Sequence, residues 1–112
     1  KTYMNGDYFN TSDTNLGEEL TDNIENLTYD MVEKSLTLLV HETSSFDVVD
    51  CISHMPKDVN VRLNCLDNKG NTLKSVVFNL GELVGHQCKY DYASDEIVKH
   101  TLTFEFKNVK IV

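Results

Sequence analysis

The chain has 112 residues, 40% of them hydrophobic and 25% charged, with 18 acidic side chains against 10 basic ones and a net charge of −8. That length supports one hydrophobic core, because a second would leave each half too small to offset its own conformational entropy. A single arginine, Arg62, and the absence of lysine clusters exclude sequence-specific nucleic-acid binding, which needs concentrated positive charge against phosphate.

No apolar run approaches the roughly 18 residues of a membrane-spanning helix, and no segment joins a basic start, an apolar stretch and a small-residue cleavage site. Residues 1–34 hold eight acids against two lysines, so the first third carries −6 of the −8 and repels anionic lipid as well as DNA. No membrane partner is expected. Cys51, Cys65 and Cys88 are odd in number and lack the CxxC spacing of a metal or redox motif. Cys51 and Cys65 sit among Val48, Val49 and Ile52 and among Val61, Leu63 and Leu66, where free thiols behave as small core residues. This pattern suits folding in a reducing compartment.

Residues 1–30 are rich in Asn, Asp, Thr and Gly, which favour turns, and read as an acidic N-terminal arm or loop preceding a β domain at 31–112. Tyr3, Tyr8 and Phe9 give the arm three rings with which to dock on its own domain or a neighbour. Leu16, Leu20, Ile24 and Leu27 have helical spacing, so a weak helical turn is expected between Glu18 and Leu27. From Ser35 to Val40 the residues Leu36, Leu38 and Val40 alternate as a half-buried strand requires. Ser44 with Asp47 resembles a capping box, and Phe46, Val49 and Ile52 share the face of a short helix that ends before Pro56.

Val59, Val61, Leu63 and Cys65 alternate with Asn60, Arg62 and Asn64, the clearest strand in the chain. A hairpin loop follows at Asp67–Asn71, with Gly70 free to take a positive φ, and the chain returns as a strand over 72–78. The loop lacks the glycine and glutamate positions of a calcium site. Residues 79–96, with Gly81 and Gly85, read as a connection, and residues 97–106 as a last strand with Val98, Leu102, Phe104 and Phe106 inward. His100 falls on that apolar face and reads as a hydrogen-bonded core or edge histidine. The fold class is therefore mainly antiparallel β, a β-sandwich or half-barrel, with one short α-helix on the sheet and an irregular N-terminal arm.

No nucleophile elbow, zinc-protease helix, P-loop or dinucleotide-binding glycine pattern occurs. His41, Glu42 and His54 flank the helix and are the nearest approach to a convergent site, while Asp91, Asp95 and Glu96 suit turn and strand-entry roles. No catalytic residue, metal ligand or cofactor is assigned, and the chain reads as a non-enzyme.

The stretch DVNVRLNCLDNKGNTLKSVVF from Asp58 to Phe78 and the ending CKYDYASDEIVKHTLTFEF from Cys88 to Phe106 resemble the tail-tube proteins of long-tailed bacteriophages and their baseplate initiator relatives. In that family a Tyr-Asp pair followed by polar residues introduces the last strand, and Tyr90-Asp91 stands in that place here. The resemblance covers residues 31–112. It implies a structural subunit that joins its sheet to those of neighbours in a ring, usually six-fold, with an acidic inner surface past which DNA slides. A head-decoration, tail-end or baseplate protein of the same fold suits the length equally well.

On that resemblance, the chain is expected to be a virion protein that folds in the host cytoplasm and associates with itself and with other virion proteins. Tyr3, Tyr8, Phe9, Asp67, Asn68, Tyr90 and Tyr92 are the candidate assembly contacts. The competing reading is a monomeric β-sandwich that binds a glycan or peptide through loops 67–71 and 79–89. It ranks second because those loops hold no aromatic ring before Tyr90.

Overall fold

The computed structural model describes residues 5–12, 14–43, 47–56, 58–90 and 97–112. Among them run six strands, β1 (Phe9–Ser12), β2 (Ile24–Asp30), β3 (Ser35–His41), β4 (Val59–Leu66), β5 (Thr72–Cys88) and β6 (Lys99–Ile111). Among the described residues there are two short helices, α1 (Glu18–Asp22), within the stretch where a helical turn was expected, and α2 (Val48–Ser53), the expected short helix. Every strand pairing is antiparallel and the sheet order is β1-β4-β5-β6-β3-β2. The sheet curls into a half-barrel, so the architecture is one bent sheet and not two stacked ones.

The curl follows from alternation. Leu36, Leu38 and Val40 of β3, Val59 and Val61 of β4, Phe78 and Leu80 of β5, and Leu102, Phe104 and Phe106 of β6 are buried together inside the half-barrel. Phe78 and Phe104 are fully buried, and each contributes roughly 1.5–3 kcal/mol by leaving water. The rings of Phe78 and Phe106 meet edge to face at 5.5 Å. Tyr29 on β2 reaches Phe78 on β5 at 5.1 Å between centroids, although two strands separate β2 from β5 in the sheet order. That contact spans the interior. Leu16, Leu20 and Val48, brought by the two helices and their approaches, complete the core.

The first 30 residues contain more regular structure than their polar composition predicts. Residues 9–12 pair with β4 and residues 24–30 pair with β3, with residues 31–34 as the turn between β2 and β3. The helical spacing of Leu16 and Leu20 is realised in α1, but the helix stops at Asp22, and Asn23 gives its carbonyl to the His41 N–H at 3.1 Å. Ile24 and Leu27 are thereby in a strand. Tertiary pairing, which composition does not carry, decides the outcome.

Three further expectations are corrected. The second helix begins at Val48 and is capped by Asp47, whose Oδ1 accepts from Val49 N at 2.9 Å and Asp50 N at 3.3 Å. With the cap there, Val48 is buried and Val49 is exposed, whereas the spacing from Ser44 placed Val49 inward. Ser44 and Phe46 lie outside the described residues.

Residues 79–88, expected as part of a connection, continue β5 as strand to Cys88. Gly81 and Gly85 do not break the strand. They lie where the register with β6 slips, and a Cβ on either would come within 3.4 Å of β6, at Glu105 O and at Thr103 Cβ. This removes one of the two loops on which the glycan- or peptide-binding reading relied. The last strand also runs past Phe106 to Ile111, pairing its end with Val76–Asn79.

Candidate assembly surface

A strand margin without a partner leaves backbone N–H and C=O groups unpaired, so coverage along each margin locates where another chain has something to gain. The outer side of β4 is covered by the chain itself, which leaves β1 as the outermost strand, with no strand on its far side among the described residues. β1 pairs with Arg62–Cys65, and where it ends the Asn15 side chain takes over. Asn60 N–H donates to Asn15 Oδ1 at 2.9 Å, and Asn15 Nδ2 donates to the Asp58 carbonyl. One side-chain amide thus stands in for a peptide unit of a neighbouring strand. Polar cross-links continue over the adjoining face, with Asn64 Nδ2 donating to Asn10 Oδ1 and Ser12 Oγ, and Ser75 Oγ donating to Asn64 Oδ1.

The opposite margin is β2, whose outer side pairs with no other strand among the described residues. It carries a bulge at Glu25, between Ile24 opposite Val40 and Asn26 opposite Leu39. Glu25 accepts from Lys99 Nζ at 3.0 Å and lies 4.0 Å from His41 Nδ1. Bulges and charges at a margin discourage indiscriminate pairing.

The long β5–β6 ladder has two less guarded flanks. β4 starts at Val59, opposite Leu80, so among the described residues β5 beyond Leu80 pairs with a strand on its β6 side only. β3 ends its ladder at Ser35 opposite Glu105, followed by a bond from Phe106 N–H to Lys34 O, so among the described residues β6 from Lys107 to Ile111 pairs with a strand on its β5 side only. The two flanks lie on opposite sides of the ladder and at opposite ends of it. Val84 is 52% exposed on the first and Ile111 71% exposed on the second. Beside the first lies a groove of about 780 Å³ lined by Ile52, Met55, Pro56 and Leu83, with Glu82 and Lys107 among its polar walls.

The candidate contacts fall into two groups. Leu66 N–H donates to Tyr8 O at 3.0 Å and Phe9 pairs with Cys65, which brings Tyr8 and Phe9 beside Asp67 and Asn68 at one end of the sheet. Tyr90 lies just past β5 at the other end and is 73% exposed. The negative charge of Glu42 is the main cause of a raised phenol pKa at Tyr90, followed by Cys88. Tyr3 and Tyr92 lie outside the described residues.

His100 has the surroundings expected of it. It is 1% exposed, with Nδ1 2.8 Å from His86 Nε2 and Nε2 3.2 Å from Glu42 Oε1 and 3.6 Å from Cys88 Sγ. The two imidazole rings are nearly coplanar, 14° apart, and meet edge to edge through that N···N contact with centroids 5.1 Å apart. Glu42 also accepts from Val48 N at 3.4 Å. His41 and His54 do not join this group, since His41 faces Glu25 and His54 Nδ1 contacts Asp50 O and Ser53 Oγ. Among the described residues no group of three or more His, Cys, Asp and Glu side chains is disposed to hold a metal ion. The three cysteines are free, and burial, then Asp50 and Glu19, push the Cys51 thiol pKa up.

Sequence reasoning missed the β5 flank, the Asn15 clasp and the His86–His100 pair. The flank and the pair were hidden by one misreading, the two glycines taken as ends of structure. The clasp has no local signal, because its partners lie more than 40 residues along the chain.

No protein-family model and no curated protein matches the sequence. Solved structures share the fold. Hcp1 from Flavobacterium johnsoniae superposes with a TM-score of 0.66 at 13% identity, over 93% of this chain and 94% of that one. A chain of the anti-feeding prophage tube-terminating cap gives 0.70 at 14%, over 100% and 92%. A chain of the anti-feeding prophage baseplate, solved with 6-fold symmetry, gives 0.65 at 13%, over 100% and 97%. The likeness is one of fold, and it is the tail-tube-like fold that Asp58–Phe78 and Cys88–Phe106 resemble.

Proposed function

We propose that the chain is a non-enzymatic structural subunit of a bacteriophage or phage-like particle, assembling with copies of itself and with other particle proteins through the margins of its sheet. The observation that carries this reading is the pair of flanks on the β5–β6 ladder that no other strand covers among the described residues. Two different flanks make a head-to-tail contact, and such contacts close into rings or continue as filaments. Similarity in fold to chains of a tube-terminating cap and a baseplate supports it. Tyr8, Phe9, Asp67 and Asn68 at one end and Tyr90 at the other are the proposed auxiliary contacts, with Tyr3 and Tyr92. The net charge of −8 suits a surface that does not hold nucleic acid.

Electron microscopy and light scattering on concentrated protein test the proposal. Rings, tubes or a defined oligomer are expected. A chain that remains monomeric at every concentration and is missing from purified particles overturns it.

A further inference from the structure

The His86–His100 hydrogen bond lies where the uncovered flank of β5 ends. In the β5–β6 ladder Cys88 is opposite His100 and His86 is opposite Leu102, so the three side chains share the inner face at the end of the strand. An N···N bond between imidazoles needs one proton and one lone pair. An ionised Glu42 can only accept, so His100 Nε2 gives it a proton, and the His100 Nδ1 lone pair then receives the proton of His86 Nε2. One further proton is accommodated on the exposed Nδ1 side of His86, and the bond survives as a charge-assisted one. The next has only His100 Nδ1 to occupy, and there it meets the proton already in the bond.

We infer that this pair makes assembly through the β5 flank sensitive to acid: charging both rings breaks the bond tying the end of β5 to β6 and sets two cations against each other edge to edge, N–H facing N–H. The inference rests on the assembly role proposed above for that flank. Among the described residues, the groups facing the pair are Glu42 from the end of β3, Cys88 from β5 and Tyr90 just beyond it, with Asp47 at the start of α2 acting on Tyr90. Lys99 and His41 turn to Glu25 on the other face. Glu42 compensates one added charge, and nothing among these groups compensates two. Histidine changes charge between about pH 5 and 8, which sets the window.

The test follows oligomer size by light scattering, and the His86 and His100 ring nitrogens by NMR, from about pH 8 to pH 5. Assembly is expected at the alkaline end and lost at the acid end, together with shifts in the backbone amides of Gly85–Cys88. Glu42→Gln removes the compensating charge, disfavours the doubly charged pair and moves the loss of assembly to lower pH. His100→Gln removes one of the two rings and leaves assembly insensitive to acid over this range. A wild-type chain whose two rings are both doubly protonated at about pH 5 while its oligomer and the Gly85–Cys88 amides are unchanged overturns the switch alone. A loss of assembly in Glu42→Gln at or above the wild-type pH also overturns it. A chain monomeric at every pH overturns the assembly role, and the switch with it.

Discussion

Asn15 closes the margin of β4 by giving its side-chain amide to the backbone of Asn60, 45 residues away in sequence, and to that of Asp58. In an extended strand the carbonyl of one residue and the N–H two residues on point to the same side, and an Asn amide presents a complementary donor and acceptor. Among the described residues, then, β4 is covered by β1 and the Asn15 clasp, β1 and β2 are the outermost strands with β2 bearing a charged bulge, and two short flanks of the β5–β6 ladder have no strand beside them. In the proposed function, that difference in coverage directs assembly.

Removing the clasp with Asn15→Ala is expected to cost about 1 kcal/mol, less than two full hydrogen bonds because water reaches the vacated groups. Urea unfolding measures the loss. The freed Asp58–Asn60 margin is also expected to promote irregular association at high concentration, seen as polydispersity in light scattering. Asn15→Asp keeps the acceptor and loses the donor, and should fall between the wild type and Asn15→Ala.

Gly17 enters α1 at φ 104° and ψ 144°, while Gly70 in the 67–71 loop has φ 89°. Nothing lies within 4 Å of a Cβ placed on either, so the cost of alanine is one of backbone conformation only. Gly17 is close to a region that is essentially glycine-only, and Gly17→Ala is expected to cost about 1–3 kcal/mol. Gly70→Ala should cost about 1–2 kcal/mol and Gly70→Asn less, because Asn tolerates the left-handed region better. Thermal unfolding of the three variants orders them.

Asp67 makes the hairpin loop sensitive to acid. Its Oδ1 accepts from Asn71 N at 2.8 Å and Lys69 N at 2.9 Å, and these donors, Asn71 first, hold its carboxyl below the ordinary value of 3.8. A folded value below the unfolded one means that ionised Asp67 adds stability above the unfolded value, and that this is lost as pH falls through the folded value. Asp67→Asn retains an acceptor but no titrating group. Its melting temperature should fall less steeply than that of the wild type below about pH 4, and an identical acid limb in both proteins would refute the assignment.

What the sequence disclosed was whatever is encoded by alternation within a single strand. Leu36, Leu38 and Val40, and likewise Leu102, Phe104 and Phe106, read as inward residues and are buried. The tight loop at Gly70 was legible because it needs a particular residue at a particular φ. Strands β1 and β2 were not, since Phe9–Ser12 and Ile24–Asp30 are mostly polar and become strands by pairing with β4 and β3. Gly81 and Gly85 misled for the opposite reason, because glycine serves both to end a strand and to let it pass close to a neighbour. The proposed assembly surface depends on where β4 and β3 stop relative to β5 and β6, which is a property of register.

That dependence on register yields the most direct test of the uncovered β5 flank. Val84 is half exposed there, away from the buried core, so Val84→Lys should change stability by no more than about 0.5 kcal/mol. A lysine at an open margin places a charge that an added strand would have to desolvate, the means by which natural sheets resist edge pairing. The variant is therefore expected to keep the wild-type circular dichroism spectrum and melting temperature while losing rings or higher oligomers in light scattering. The same substitution at Val32, 90% exposed in the β2–β3 turn, is off the β5 flank and next to the start of the β6 flank, where Lys34 O accepts from Phe106 N–H, and should impair assembly less than Val84→Lys does. If Val84→Lys assembles as the wild type does while Val32→Lys does not, the contact lies at the turn end of the sheet and the β5 flank is not an interface.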